Sequence, residues 1–360
     1  MKTRSNRGGS STRGIALIIV MLVVVVLSTL AAGFAFSMKV ETRLARNCTF
    51  DQDMQWLGWS GVELARYVLG QQLSIPFEGG YDALNQKWAG GPGGTNDLLA
   101  EISLTDNRLG PGSFSVRIID LERKVNINYA SRDLLQRACE LQGLDMLGSL
   151  RVVDAIEDWR DPNPDPLIDG AESDYYLSLP KPYAAKDGPL DDLSELLLVR
   201  GVTAGLYWGP RAASGGAWSS VQNTAPGYAA DPVIPAVGLV DLFNTLGRPQ
   251  INLNTASAEV LQLLPGVDPN LAMEIVQFRA GPDGVDGTED DTPFHNPGEL
   301  INVRGMIPVQ VQALQRACGT RSFTFEVQVR AAIGQYRRTL TALLLRNSQR
   351  DVLVLTSYWE

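Results

Sequence analysis

Two acidic loops hold the side chains of this sequence best suited to chemistry. The first, from Asp161 to Glu172, places Asp161, Asn163, Asp165, Asp169 and Glu172 at positions 1, 3, 5, 9 and 12. That is the ligand spacing of a calcium loop, although Pro166 stands at position 6, where the usual loop turns on a glycine. The second, residues 281–291, packs Asp283, Asp286, Glu289, Asp290 and Asp291 among glycines. Hard oxygen donors without His or Cys favour Ca²⁺ over zinc. The expectation is therefore up to two Ca²⁺ ions, one per loop, with two solvated acidic turns as the alternative.

Other chemistry has little to work with. The single His, His295, lies in a loop close to Pro297, so Ser–His or Cys–His pairs have no evident base. There is no phosphate loop or dinucleotide fingerprint, and no enzymatic activity is expected. Of the three cysteines, Cys48, Cys139 and Cys318, the last two share a Gln-Arg-Ala-Cys context. In an exported chain that favours a Cys139–Cys318 disulfide, with two inert buried thiols as the alternative.

The loops sit inside a sequence that repeats itself between about residues 122 and 319. Val125-Asn126-Ile127-Asn128-Tyr129-Ala130-Ser131 is echoed by Ile251-Asn252-Leu253-Asn254-Thr255-Ala256-Ser257. Ile156-x-x-Trp159-Arg160 returns as Ile275-x-x-Phe278-Arg279. Glu195-Leu196 with Val199-Arg200-Gly201 returns as Glu299-Leu300 with Val303-Arg304-Gly305. Each copy opens on a Ser that suits helix capping, and each carries its acidic loop at the same point. The copies span about 122–208 and 249–319, joined by a linker, 209–248, that is rich in Gly, Ala, Ser and Pro as far as 238. Leu261–Arg279 resembles a helix-hairpin-helix. In the nucleic-acid binders of that family a Gly-x-Gly hairpin holds phosphate; here Asp268 replaces the second Gly, and a carboxylate there repels phosphate.

Outside the repeats, Ser113–Ile119 alternates like a strand, as do Phe323–Arg330, Arg338–Leu345 and Asp351–Tyr358. The sheet is thus split in sequence by the helical block. Upstream, Met54, Leu57, Gly61, Val62, Leu64, Ala65, Val68 and Leu69 form one apolar stripe, which predicts a helix reaching about Gln72.

At the N-terminus, Lys2, Arg4, Arg7 and Arg13 precede an uncharged run of 24 residues, Ile15 to Met38. Such a run can cross a bilayer as a helix, and the basic residues before it predict a cytoplasmic N-terminus. It is too long for the core of a cleaved secretory signal, which leaves an ordinary anchor or a processed one. Removing the four basic leader residues takes the formal net charge from −9 to −13. That acidity argues against nucleic-acid binding.

A basic leader ending in Gly14, followed directly by Ile15-Ala-Leu-Ile-Ile19, resembles the processing site of type IV pilins and type II secretion pseudopilins. The resemblance implies that prepilin peptidase cuts between Gly14 and Ile15 and methylates the new N-terminus. The family's fifth mature residue is usually Glu; here it is Ile19. In the fibre that Glu neutralises a neighbour's terminal amine, and a tip subunit has no neighbour above to pair with. With the split sheet, the insertion and its Ala155-Ile156-x-Asp158-Trp159-x-Asp161 segment, the chain resembles the general secretion pathway protein K family of minor pseudopilins along nearly its whole length.

The fold expected is α+β: a pilin-like long N-terminal helix packed on an antiparallel sheet, with a large duplicated all-α, helix-hairpin-helix-like insertion between strands. Its divisions are a leader, 1–14; a transmembrane or fibre-core helix, 15–38; a pilin-like domain, 39–121 and 320–360; and the insertion, 122–319. The resemblance further implies other minor pseudopilins as partners, a place at the tip of the pseudopilus where the subunit helps initiate the fibre and limit its length, and an inner-membrane span with periplasmic domains before assembly. A membrane-anchored helix-hairpin-helix DNA-binding or DNA-uptake protein is the rival reading.

Overall fold

The computed structural model describes residues 12–93, 99–209 and 237–360, with the side chains of residues 12–16 and 46–49 left aside. One helix, α1 (Thr12–Gln72), runs for 61 residues, about 90 Å at the usual rise. Its uncharged part is exposed on every side, from Leu17 through Phe36, as suits a segment whose solvent is lipid or other helices. By length and composition it is apolar enough to cross a membrane.

From Met54 onward the same helix changes environment. Met54, Leu57, Val62, Ala65, Val68 and Leu69 are buried against a five-stranded antiparallel sheet ordered β1-β2-β7-β8-β9. Its strands are β1 (Asn107–Leu109), β2 (Gly112–Asp120), β7 (Thr324–Ile333), β8 (Tyr336–Ser348) and β9 (Asp351–Trp359). The helix lies flush on the sheet because two of its contact residues lack side chains. A Cβ at Gly61 would come within 2.4 Å of Val329, and one at Gly58 within 2.7 Å of Trp359.

β2 and β7 are adjacent in space and pair from Ser113↔Ala332 to Asp120↔Phe325. The chain between them forms the insertion, with its own apolar core built around Trp159, Tyr176, Phe243 and Phe294. Two short parallel ladders sit within it, so it is not purely helical. β3 (Val125–Asn126) pairs with β4 (Phe243–Asn244), and β5 (Ile251–Asn252) pairs with β6 (Cys318–Gly319). The linker boundary therefore needs correcting. Residues 210–236 lie outside the described residues, but Leu239–Leu242 form a short helix, α6, that leads directly into β4.

The two stretches share a set of hydrogen bonds. Asn126 accepts the Asn128 N–H at 3.0 Å, and Asn252 accepts the Asn254 N–H at 3.0 Å. The Asn128 side chain grips both backbone groups of Leu190, at 2.8 and 3.0 Å. Asn254 does the same to Phe294, at 2.8 and 2.9 Å. Ser131 and Ser257 cap α2 (Arg132–Leu141) and α7 (Ala258–Leu261). Arg160 and Arg279, at the ends of α3 (Met146–Arg160) and α8 (Pro269–Arg279), each donate back to the opening turn, to the carbonyls of Ile127 and Leu253, both at 2.7 Å. Hairpin glycines Gly143 and Gly266 both take positive φ, +84° and +78°, and each is followed two residues later by an Asp that caps the next helix.

Candidate functional site

The first acidic loop lies along α3, held there by two carboxylates one helical turn apart. Asp154 accepts the Asp169 N–H at 3.1 Å, and Asp158 accepts the Leu167 N–H at 3.1 and 3.2 Å. The approach is close: a Cβ on Gly170 would fall 1.9 Å from an Asp158 oxygen. Neither Asp154 nor Asp158 belongs to the calcium-loop spacing. The signal available in sequence was their i, i+4 separation on a helix face otherwise apolar.

The spacing itself misplaces several ligands. Pro162, Pro164 and Pro166 fix φ at alternate positions, so the segment runs extended rather than wrapping around a centre. Asn163 and Asp165 are exposed. Asp161 turns its oxygen onto the Asn163 N–H at 3.0 Å, and Asn163 turns its own onto the Asp165 N–H at 2.9 Å. Asp169 is half-buried and contributes its backbone. Among the described residues, no three His, Cys, Asp or Glu side chains stand together in a cage for a metal.

Glu172 behaves differently. It is only 5% exposed, and neither of its carboxylate oxygens has a hydrogen-bond partner. Burial first, then the charges of Asp158, Asp187 and Asp161, push its pKa up to about 7. Asp158 is shifted upward too, mainly by burial. A buried carboxylate without a donor is costly, and one facing other acids more so. A hard divalent cation is the group that would relieve all of these charges together.

In the second loop most of the expected ligands are engaged by groups of the chain itself. Arg279, at 4% exposure, holds Asp286 with two hydrogen bonds of 2.9 and 2.7 Å while also donating to the Leu253 and Ala256 carbonyls. Asp291 accepts the Gly287 N–H at 2.8 Å, Asp290 accepts from Thr288 Oγ1 at 2.7 Å, and Asp283 accepts the Val285 N–H at 2.7 Å. Glu289 points to solvent. An internal guanidinium stands here, whereas in the first copy Arg132 pairs with Asp154 and Glu157 and leaves Glu172 without a partner.

The cysteine expectation also changes. Cys139 on α2 and Cys318 in β6 are separate free thiols, each buried within the insertion, and burial pushes both pKa values up to about 12. They lie at different points of their repeats, Cys139 within the helix that follows the opening turn and Cys318 just beyond the last helix, Pro308–Ala317, so the shared Gln-Arg-Ala-Cys context marks no matching position. At the hairpin, Asp268 accepts the Leu271 N–H at 2.8 Å and so occupies an amide that a bound phosphate would require. On α1, Gly14 and Ile15 fall within the helix and Ile19 is exposed; residues 1–11 of the leader lie outside the described residues.

A single exposed apolar helix continuing into a helix packed on an antiparallel sheet is the architecture of pilin-like subunits, here enlarged by an insertion between neighbouring strands. The chain is similar to the type II secretion system protein K family. The family description "Type II secretion system (T2SS), protein K" matches residues 112–208, and a helix-hairpin-helix motif matches residues 247–317. The type II secretion system protein K of Aeromonas hydrophila is 28% identical over 356 residues, covering 95% of each chain. That of Klebsiella pneumoniae is 28% identical over 203 residues, 54% of this chain and 60% of that protein. The fold is also that of a chain in the crystal structure of the GspK-GspI-GspJ complex from the enterotoxigenic Escherichia coli type 2 secretion system. There the TM-score is 0.62 at 16% identity, over 88% of this chain and 99% of that one.

Proposed function

We propose that this minor pseudopilin is cut by prepilin peptidase between Gly14 and Ile15, methylated at Ile15, and carried through α1 into the tip of a type II secretion pseudopilus. There it joins other minor pseudopilins, helps initiate the fibre and limits its length. The observation that carries this reading is the continuity of α1: the uncharged run after Gly14 and the stripe that packs on the sheet are one unbroken helix. Before assembly the same run holds the protein in the inner membrane, with its N-terminus cytoplasmic and its folded part periplasmic. Ile19 supports a place at the tip, because an uncharged fifth residue suits a subunit with no neighbour's amine to neutralise. The bulk of the insertion gives the mechanism, since it leaves no room for a further subunit above. That the E. coli relative was solved in complex with GspI and GspJ supports the choice of partners.

We further propose one Ca²⁺ ion in the first loop, drawn to Glu172, with Asp158 and Asp161 closing on it only as it binds, since these acids do not stand as a preformed cage. It would supply the positive charge that their crowded oxygens lack and fix the loop against α3. The acidic chain and the capping role of Asp268 support reading the hairpins as scaffold rather than as a DNA site. Mass spectrometry of the membrane-extracted protein tests the central claim. The expected mass is that of a chain beginning at Ile15 and carrying one methyl group; any other start sinks the pseudopilin reading.

A further inference from the structure

The face of the sheet turned away from α1 carries arginines in an otherwise acidic protein. Arg117 on β2, Arg330 on β7 and Arg337 on β8 share that face. Arg117 stands opposite Gln328, Arg330 opposite Ser115, and Arg337 opposite Ala332, so the three follow one diagonal across neighbouring strands. All three are exposed, and among the described residues none has an acid or any other polar partner. Arg330 and Arg337 border a shallow depression of about 420 Å³ shared with Ser113, Ser115, Thr339 and Glu360. Glu360 is the one acid in it, so the depression keeps a positive charge.

We propose that this diagonal is a docking site for an extended acidic segment of a partner protein, with carboxylates at alternate positions. Diagonal neighbours on a sheet stand about 7–8 Å apart. Alternate residues of an extended chain are separated by about 6.5–7 Å and point the same way, so successive acids meet successive guanidiniums. Arginine rather than lysine suits the task, because its planar fork binds carboxylates through two hydrogen bonds. The serine and threonine hydroxyls between the arginines can take up the segment's remaining polar groups. A lipid surface fits less well. Arg338, next to Arg337, pairs with Asp51 of α1 at 2.8 Å. Asp51 lies about 20 Å along the helix from the end of the uncharged run at Met38, whereas the headgroup layer extends only about 5–8 Å beyond the hydrocarbon.

The test is fluorescence anisotropy of a labelled Glu-Ser-Glu-Ser-Glu peptide with the full chain in non-ionic detergent. Wild type, the double variant R330E/R337E and Arg350→Gln, an exposed arginine in the β8–β9 turn at the opposite end of the sheet, are compared. The leader's basic residues are common to all three, so differences report the sheet face. The expected result is at least about tenfold weaker binding for the double variant, as befits the loss of two charge-assisted pairs, with Arg350→Gln binding like wild type. Thermal melting confirms that each variant is folded. A wild-type chain that ignores the peptide, or a double variant that binds it equally well, overturns the proposal. Unchanged peptide affinity with weaker retention on phosphatidylglycerol vesicles assigns the face to lipid and overturns it as well.

Discussion

Both oxygens of Glu172 are buried without a donor beside Asp158, and that arrangement makes stability depend on pH in a definite direction. The folded pKa of about 7 exceeds the ordinary value of 4.5. Between those values the folded state holds more protons than the unfolded one, so stability falls as pH rises through the window. Asp120, pushed up to about 7 by burial and by Glu122, acts in the same sense. A cation on the ionised Glu172 offsets its share of the loss. In chelator, the melting temperature should therefore decline from about pH 5 to above pH 7. Adding Ca²⁺ near pH 7.5 at about a hundred times its dissociation constant should raise it by about 5–10 °C, given some 2.7 kcal/mol of linkage and 2–4 °C per kcal/mol for a chain of this class. Glu172→Gln should abolish the Ca²⁺ response while leaving the slope due to Asp120. A wild-type melting curve indifferent to Ca²⁺ removes the ion from the proposed function.

The element that organises the insertion is the Asn-x-Asn turn. Its first Asn shapes the turn, and its second holds the far end of the acidic loop through both hydrogen-bonding groups of one residue, Leu190 or Phe294. Asn254→Ala leaves the Phe294 N–H and C=O without partners in a dry core, at about 2–3 kcal/mol; the cost should appear as a lower midpoint in urea with an unchanged slope. Asn128→Ala, at a half-buried position, should cost less. This element was legible in sequence because its residues recur in order: the motif, the Arg that returns to it and the glycine turn each appear twice. The strands were legible from alternation, and α1 from its stripe. The cation loop was not, because ligand spacing assumes a chain that wraps, whereas three prolines keep this one extended. The carboxylates that fasten it, Asp154 and Asp158, come from the preceding helix, which linear spacing cannot reveal. The cysteines are a similar case, since a shared Gln-Arg-Ala-Cys context says nothing about the distance between two thiols that sit at different points of the fold.

At the scale of the whole molecule, the question is what fixes a helical body to a sheet from which it emerges by two adjacent strands. The seam is polar and dry. Asp120, at the end of β2, accepts from Asn252 at 3.1 Å and Ser322 at 2.6 Å, and also from Thr255, so the second repeat is tied to the sheet. Glu122 accepts the Thr324 N–H at 3.0 Å and the Arg248 N–H at 3.2 Å, joining the entry and exit of the insertion. Asp82, downstream of α1, accepts the Ser322 N–H at 2.8 Å and pairs with Arg346 of β8. Arg346 is 1% exposed and reaches the Ser322 carbonyl, the Leu69 carbonyl near the end of α1 and the face of Phe325. Of these three carboxylates Asp82 is the one paired with the buried guanidinium, which joins the end of α1, β8 and the segment leading into β7. Removing one partner of a buried pair strands the other, at about 3–5 kcal/mol. Arg346→Met should therefore lower stability by about that amount, well beyond its lost packing. The double variant Arg346→Met/Asp82→Asn should recover part of the loss, because it removes the stranded charge. If Arg346 only packs, the double variant will be no more stable than the single. Urea unfolding of the three chains distinguishes the cases, and recovery in the double variant would show that the Arg346–Asp82 charge pair, rather than packing alone, holds α1 and β8 together beneath the seam.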